Sequence, residues 1–304
     1  MDYMRIAICV SGQFRNAEDV WPKNFDILFE DTTHEYVFFA SSWNENPSQV
    51  YPFSFLNFLS SLIFRMRISY EKHEHLEIDE NLIKELFPNC RGIALARSNS
   101  FSLIDGGIRI PQGGRLARKI NNSLRMFYQI RLCDSLRVEY EHDNNMVFDC
   151  VVRVRFDSAL EENPIVRYFD GNSDLYFLRD PLDHKFQFGM VNDQIFFGKS
   201  APMNKLCRAY ESIVAQGNNV AWEMDRNEVH EVFVAESALS WYVSTLSGEF
   251  EVTSVGKEVR LKRPKRILLK ISRAEYVRLV KESPYFFKHF LAKLLKNSWS
   301  RRNH

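Results

Sequence analysis

Phe148–Leu160, FDCVVRVRFDSAL, runs an apolar strand core directly into two alternating arginines and an aspartate. Successive side chains of a strand point to opposite faces. Arg153, Arg155 and Asp157 therefore share one face, and Val152, Val154 and Phe156 the other. Two cations and a carboxylate in register at a strand's carboxyl end have two readings. One is a site for an anionic, phosphorylated ligand, because guanidinium groups match phosphate oxygens bidentately. The other is an ion-paired strand end at a sheet edge.

Outward from this stretch the chain alternates strands and helices. Met4–Val10 reads as a buried first strand, followed by the turn SGQFRN and a helix over 16–29. Tyr36–Ala40 is a second buried strand ending at Ser41-Ser42-Trp43. Residues 44–75 are aromatic and irregular, with weak helical character over 55–66. Asp79 opens a short helix that stops at Pro88, and 91–96 reads as a third strand. Gly106-Gly107 and Gly113-Gly114 bracket a polar loop, and apolar spacing from Leu124 to Tyr140 predicts a long helix entering the 148–156 strand. Strands at 174–178, 195–198 and 249–255 and helices at 204–215 and 229–246 complete the body. Such alternation argues for a mainly parallel α/β sheet.

At 304 residues and 45% hydrophobic, the chain can bury a sizeable core. Its five cysteines are scattered, with no CxxC pair or Cys/His cluster, so neither a disulfide framework nor a structural zinc site is expected. A reduced, cytoplasmic setting fits. No run approaches about 18 apolar residues, so no spanning helix is expected. HExxH, GxSxG, GxGxxG and GxxxxGK[ST] are all absent, which argues against zinc hydrolases, α/β-hydrolases, dinucleotide enzymes and P-loop enzymes.

The net charge of +1 conceals an asymmetry. Residues 257–304 hold 15 Lys and Arg against three acids, leaving 25 basic and 36 acidic residues in 1–256. The natural division is a body over 1–256 and a basic, amphipathic, helical tail over 257–304. Within the tail, Phe286, Phe287, Phe290, Leu291, Leu294 and Leu295 fall on one helical face, with Lys288, Lys293 and Lys296 nearer the other. That pattern suits an anionic membrane surface at the inner face of the cell membrane, or docking on the body. Nucleic acid is not expected as a partner.

Further candidates surround the opening stretch. The turn Ser11-Gly12-Gln13-Phe14-Arg15 either offers backbone N–H groups and a charge to a phosphate or is an ordinary tight turn. Asp157 either coordinates a divalent cation or pairs with the arginines. Asn192, Asp193 and Gln194 can orient sugar hydroxyls or supply a base, or can cap their own turn. Glu236 faces either a pocket or solvent.

In order, MRIAICVSGQFR, YVFFASSW, NSLRMFYQIRLCDSLRVEYE, FDCVVRVRFDSAL, NDQIFFG and AESALSWYV resemble a group of bacterial and large-virus glycosyltransferases. Several of these serve lipopolysaccharide or capsule assembly, and the WavE-like proteins are one branch. The resemblance spans residues 4–255 and implies a GT-A-like fold with a nucleotide-sugar donor and a glycan or lipid-linked acceptor. It implies that Ser11, Gly12, Gln13, Arg15, Arg153 and Arg155 bind the nucleotide. Asn192 and Gln194 would face sugar or acceptor, with Asp193 and Glu236 as candidate bases. Asp157 falls where such enzymes hold Mn2+ or Mg2+ with a DxD motif, but Arg155 stands where the first acid belongs.

Overall fold

A computed structural model describes residues 3–45, 50–52, 66–71, 77–97, 114–180, 190–214, 235–255, 259–261 and 266–271. The strands are β1 (Arg5–Gly12), β2 (Glu35–Trp43), β3 (Val50–Pro52), β4 (Met66–Glu71), β5 (Cys90–Ala96) and β6 (Cys150–Val154). They continue as β7 (Ser158–Leu160), β8 (Leu175–Asp180), β9 (Met190–Gly198), β10 (Val252–Val255), β11 (Val259–Leu261) and β12 (Arg266–Ile271). The helices are α1 (Ala17–Phe29), α2 (Glu80–Leu86), α3 (Gly114–Asp143), α4 (Pro164–Tyr168), α5 (Ser200–Cys207) and α6 (Ala235–Leu246).

Seven strands form one sheet in the order β10-β8-β9-β6-β1-β2-β5. β6, β1, β2 and β5 run parallel, and β9 is antiparallel to both β6 and β8. β1 and β2 read as continuous apolar runs because helices cover both faces. On one face Ala7, Cys9, Val37, Phe39 and Val151 pack under Leu124, Phe127, Ile130 and Cys133 of α3, with α5 and α6 beside them. On the other, Ile6, Ile8, Val10, Phe38 and Val152 meet Val20, Trp21 and Leu28 of α1 and Ile83 of α2. The helix starts follow sequence logic: Asp79 caps α2 by accepting the Leu82 N–H at 2.8 Å, and Asn163 caps α4.

Chain order fixes where a ligand can enter. From β1 the chain builds β2 and β5 on one side, then crosses through α3 to lay β6 on the other side of β1. The β1/β6 boundary is therefore a topological switch point, where an open α/β sheet leaves a crevice at its carboxyl ends. β9 is locked beside β6 and β8 at Gly198, where an added Cβ would collide with the Asp174 carbonyl oxygen and stand 3.1 Å from Leu175 Cα.

Two compact units are present: residues 1–46 with 75–263, and 47–74 with 264–304. The described strands of the second unit are β3, β4 and β12, joined in an antiparallel sheet. The described residues beyond 256 are thus extended, whereas the sequence predicts a basic helical tail over 257–304. β11 pairs with β7 in the first unit, and the alternating RILLKI of β12 pairs with β4. The amphipathic segment 283–299, the loop at 106–114 up to Gly113, and the weakly helical 55–66 except Met66, which opens β4, lie outside the described residues. Among the described residues, no helix is long and apolar enough to cross a membrane. All five cysteines are free thiols.

Candidate functional site

At the switch point the apolar rows of the α3-covered face give way to polar side chains. Arg153 pairs in register with Cys9 of β1 and Phe196 of β9, while Ser11 pairs with Ser41 of β2. Arg153 is only 1% exposed. Its Nε donates to Ser11 Oγ at 3.1 Å, its Nη1 donates to the Asp193 carbonyl oxygen, and its guanidinium carbon lies 5.4 Å from the Phe196 ring centre. The buried Nη2 has no partner. Among the described residues no carboxylate forms an ion pair with this guanidinium. Burial accordingly lowers its pKa to about 10, with the Asp193 charge opposing the fall and Arg155 adding to it.

Arg155 is arranged differently. The β6 ladder ends at Val154, and Phe156 turns into the opposite core with its side chain fully buried. The regular ladder stops one residue before Arg155, but Phe156 still joins Val152 and Val154 in one buried cluster, as the alternation predicts. The side chains still converge. Arg155 Nε and Nη2 donate to the two oxygens of Asp157 at 2.9 and 3.0 Å, and Nη1 donates to Asp193 Oδ2 at 3.0 Å. Burial works against the Arg155 charge, but the Asp157 and Asp193 carboxylates outweigh it and raise the pKa above the usual arginine value. Asp157 and Asp193 are each 3% exposed.

A bulge delivers Asp193. Between the pairs Phe177–Phe196 and Arg179–Val191, β9 advances five residues while β8 advances two. The surplus residues are Asn192, Asp193 and Gln194, and a bulge of this kind re-aims side chains. Asn192 Oδ1 accepts the Gln194 N–H at 2.8 Å, and the Gln194 carbonyl accepts the Arg155 N–H at 3.1 Å. Asp193 can then present its carbonyl to Arg153 and its carboxylate to Arg155. Asn192 is engaged with its own turn, whereas Gln194 Oε1 is buried without a partner.

The first turn contributes Ser11 most clearly. Gly12 has φ 127°, a conformation that favours glycine, and the space around its missing Cβ is open. The Gln13 carbonyl accepts the Arg15 N–H at 2.8 Å, closing a tight turn with both side chains half-buried. Glu18 and Asp19 occupy the first turn of α1, so this helix start already carries negative charge and is a poor second seat for phosphate. Glu236 lies in α6, and only its backbone position is described.

Two residues of this row escaped the sequence reading. Ser41 Oγ donates to Gln129 Oε1, and the fully buried Gln129 leaves its Nε2 unpartnered. The signal was present: Gln129 sits among Phe127, Ile130 and Cys133 on the apolar stripe of α3, where an amide is out of place. A cavity of about 370 Å³ runs along α3 and α5, but none of its lining residues belongs to the Arg153 cluster.

The donor set does not fit a divalent cation as folded. Both Asp157 oxygens are taken by Arg155, which also holds Asp193, and among the described residues no three His, Cys, Asp or Glu side chains gather as metal ligands. What the cluster can do is bind. It presents unpartnered donors at Arg153 Nη2 and Gln129 Nε2 and an unpartnered acceptor at Gln194 Oε1. No family model matches the chain, and no curated protein matches it.

Proposed function

We propose that this protein is a GT-A-like glycosyltransferase moving a sugar from a nucleotide-sugar donor to a hydroxyl of a surface-glycan acceptor, in lipopolysaccharide or capsule assembly. The observation that carries the reading is Arg153: a buried guanidinium at the β1/β6 switch point, oriented by Ser11, with its Nη2 unused and no carboxylate in an ion pair with it among the described residues. A buried cation with no carboxylate in direct contact is costly, and an anionic ligand relieves that cost. Perturbed charges in a crevice of this kind concentrate at functional sites.

In this reading the donor diphosphate meets Arg153, which neutralises charge as the sugar–phosphate bond breaks. Arg155 fixes Asp157 and Asp193 in one orientation. Gln194 Oε1 accepts a hydroxyl of the sugar or acceptor. In an inverting reaction Asp193 takes the acceptor's proton through the oxygen that Arg155 does not use, with Glu236 the second candidate. A retaining reaction needs no such base.

The basic charge of 257–304 favours a second reading, a non-catalytic peripheral membrane protein serving glycan assembly. A thermal-shift panel of nucleotides and nucleotide sugars, with and without Mn2+ or Mg2+, separates the two. Stabilisation by one nucleotide family, lost in Arg153→Met, is expected of the transferase. A flat panel together with binding to anionic liposomes that requires 257–304 overturns it in favour of the membrane protein.

A further inference from the structure

Arg155 stands between two buried carboxylates that come from different elements, Asp157 from the turn after β6 and Asp193 from the bulge of β9. All three of its guanidinium nitrogens donate, two to Asp157 and one to Asp193 Oδ2, at 2.9–3.0 Å. Two carboxylates removed from water and this close repel each other, and both stay ionised only with a cation between them. A divalent ion with oxygen ligands is one solution. A guanidinium whose planar fork spans both groups is another. The Arg155 backbone is itself tied down, since its N–H donates to the Gln194 carbonyl at 3.1 Å. The guanidinium is thus held in place from both ends.

We infer that Arg155 is the resident cation of this site, holding the Asp157–Asp193 pair in place of a divalent metal. This follows from the carboxylate geometry and does not depend on the transferase reading. Joined to that reading, it makes donor binding insensitive to chelators. The neighbouring Arg153, with its unused Nη2, then supplies the anion contact.

The test uses Mn2+ alone, titrated into the full chain and followed by the electron paramagnetic resonance signal of the free ion. The parent should take up no Mn2+ in a manner that depends on Asp157. Arg155→Ala should gain one Mn2+ per chain, with an unfolding midpoint raised by roughly 5 °C at saturating metal. Arg155→Ala/Asp157→Asn should lose that gain. Removing a buried partner can cost the fold, so Arg155→Gln, which keeps most of the volume, replaces the alanine variant if that one does not fold. Mn2+ uptake by the parent that Asp157→Asn abolishes would overturn the inference, as would a folded Arg155 variant that takes none. A nucleotide panel run in EDTA keeps the two proposals apart. If the metal results hold and no nucleotide binds, the transferase reading falls and the role of Arg155 stands.

Discussion

Arg153 Nε and Ser11 Oγ, 3.1 Å apart, join β6 to β1 at the boundary where the chain reverses its direction of sheet building. The bond fixes a charged group in a place where its neighbours Val151, Cys9 and Phe39 are core. It aims the guanidinium along the carboxyl edge of the sheet.

The energetics of Arg153 give the first prediction. Its pKa falls from the unfolded value to about 10, so folding disfavours the charged form. The resulting cost, roughly 3 kcal/mol, is present in full below pH 10 and is relieved as pH rises from about 10 towards the unfolded arginine value. Replacement by an apolar side chain of similar length removes both this cost and the bonds to Ser11 and Asp193. Arg153→Met should therefore lie within about 1 kcal/mol of the parent in urea unfolding, whereas a salt-bridged buried arginine would cost about 3–5 kcal/mol. A loss in the latter range would mark Arg153 as structural.

Arg137 supplies the contrast. It is fully buried in α3, donates to Asp134 Oδ1 at 2.7 Å and to Ser200 Oγ at 2.6 Å, and pairs with Glu141. Glu141 in turn accepts the Phe148 N–H at 2.8 Å, tying α3 and α5 to the entry of β6. Arg137→Ala leaves two carboxylates without their cation. It should cost about 3–5 kcal/mol in the same assay, and a loss under about 1 kcal/mol would contradict this role.

Gly198 tests the sheet. A Cβ there meets backbone of the 174–175 segment, which cannot swing aside as a side chain can. Gly198→Ala should destabilise by about 1–3 kcal/mol. A neutral substitution would mean that β9 does not lie between β6 and β8 in this register.

Cys90 sets an alkaline limit. Burial pushes its thiol up to about 11, with the Gly92 backbone contact opposing the rise. A raised folded pKa contributes stability that is present below pH 9 and lost as pH climbs from about 9 to 11. Cys90→Ala should flatten the decline of stability in that window, read as urea midpoint against pH. An unchanged slope would show that the thiol ionises as freely folded as unfolded.

The alternation of buried strands and amphipathic helices was legible because both faces of β1 and β2 are covered. Continuous apolar runs and the α3 periodicity follow directly from that. The convergence of Arg153, Arg155 and Asp157 was legible from period-2 spacing, although the ladder ends at Val154 and a turn completes it. The partner of both arginines was visible as the polar run Asn192-Asp193-Gln194, but its geometry was not. A bulge is defined by pairing with β8, and pairing is a property of two strands rather than one. Gln129 was hidden because helical spacing explains an apolar stripe and passes over the single amide within it. The extended pairing of 259–261 and 266–271 was obscured by their charge, which drew the eye to a tail.

Binding of a phosphorylated ligand at the β1/β6 boundary through Arg153 can be read by calorimetric titration. A set of nucleoside diphosphates would be titrated in EDTA into the parent and into folded Arg153→Met. At least one of them should bind the parent saturably, with affinity weakened by about 10- to 100-fold in the variant through loss of charge-assisted hydrogen bonds. Equal affinity for the two proteins, or no binding to the parent across the set, would contradict it.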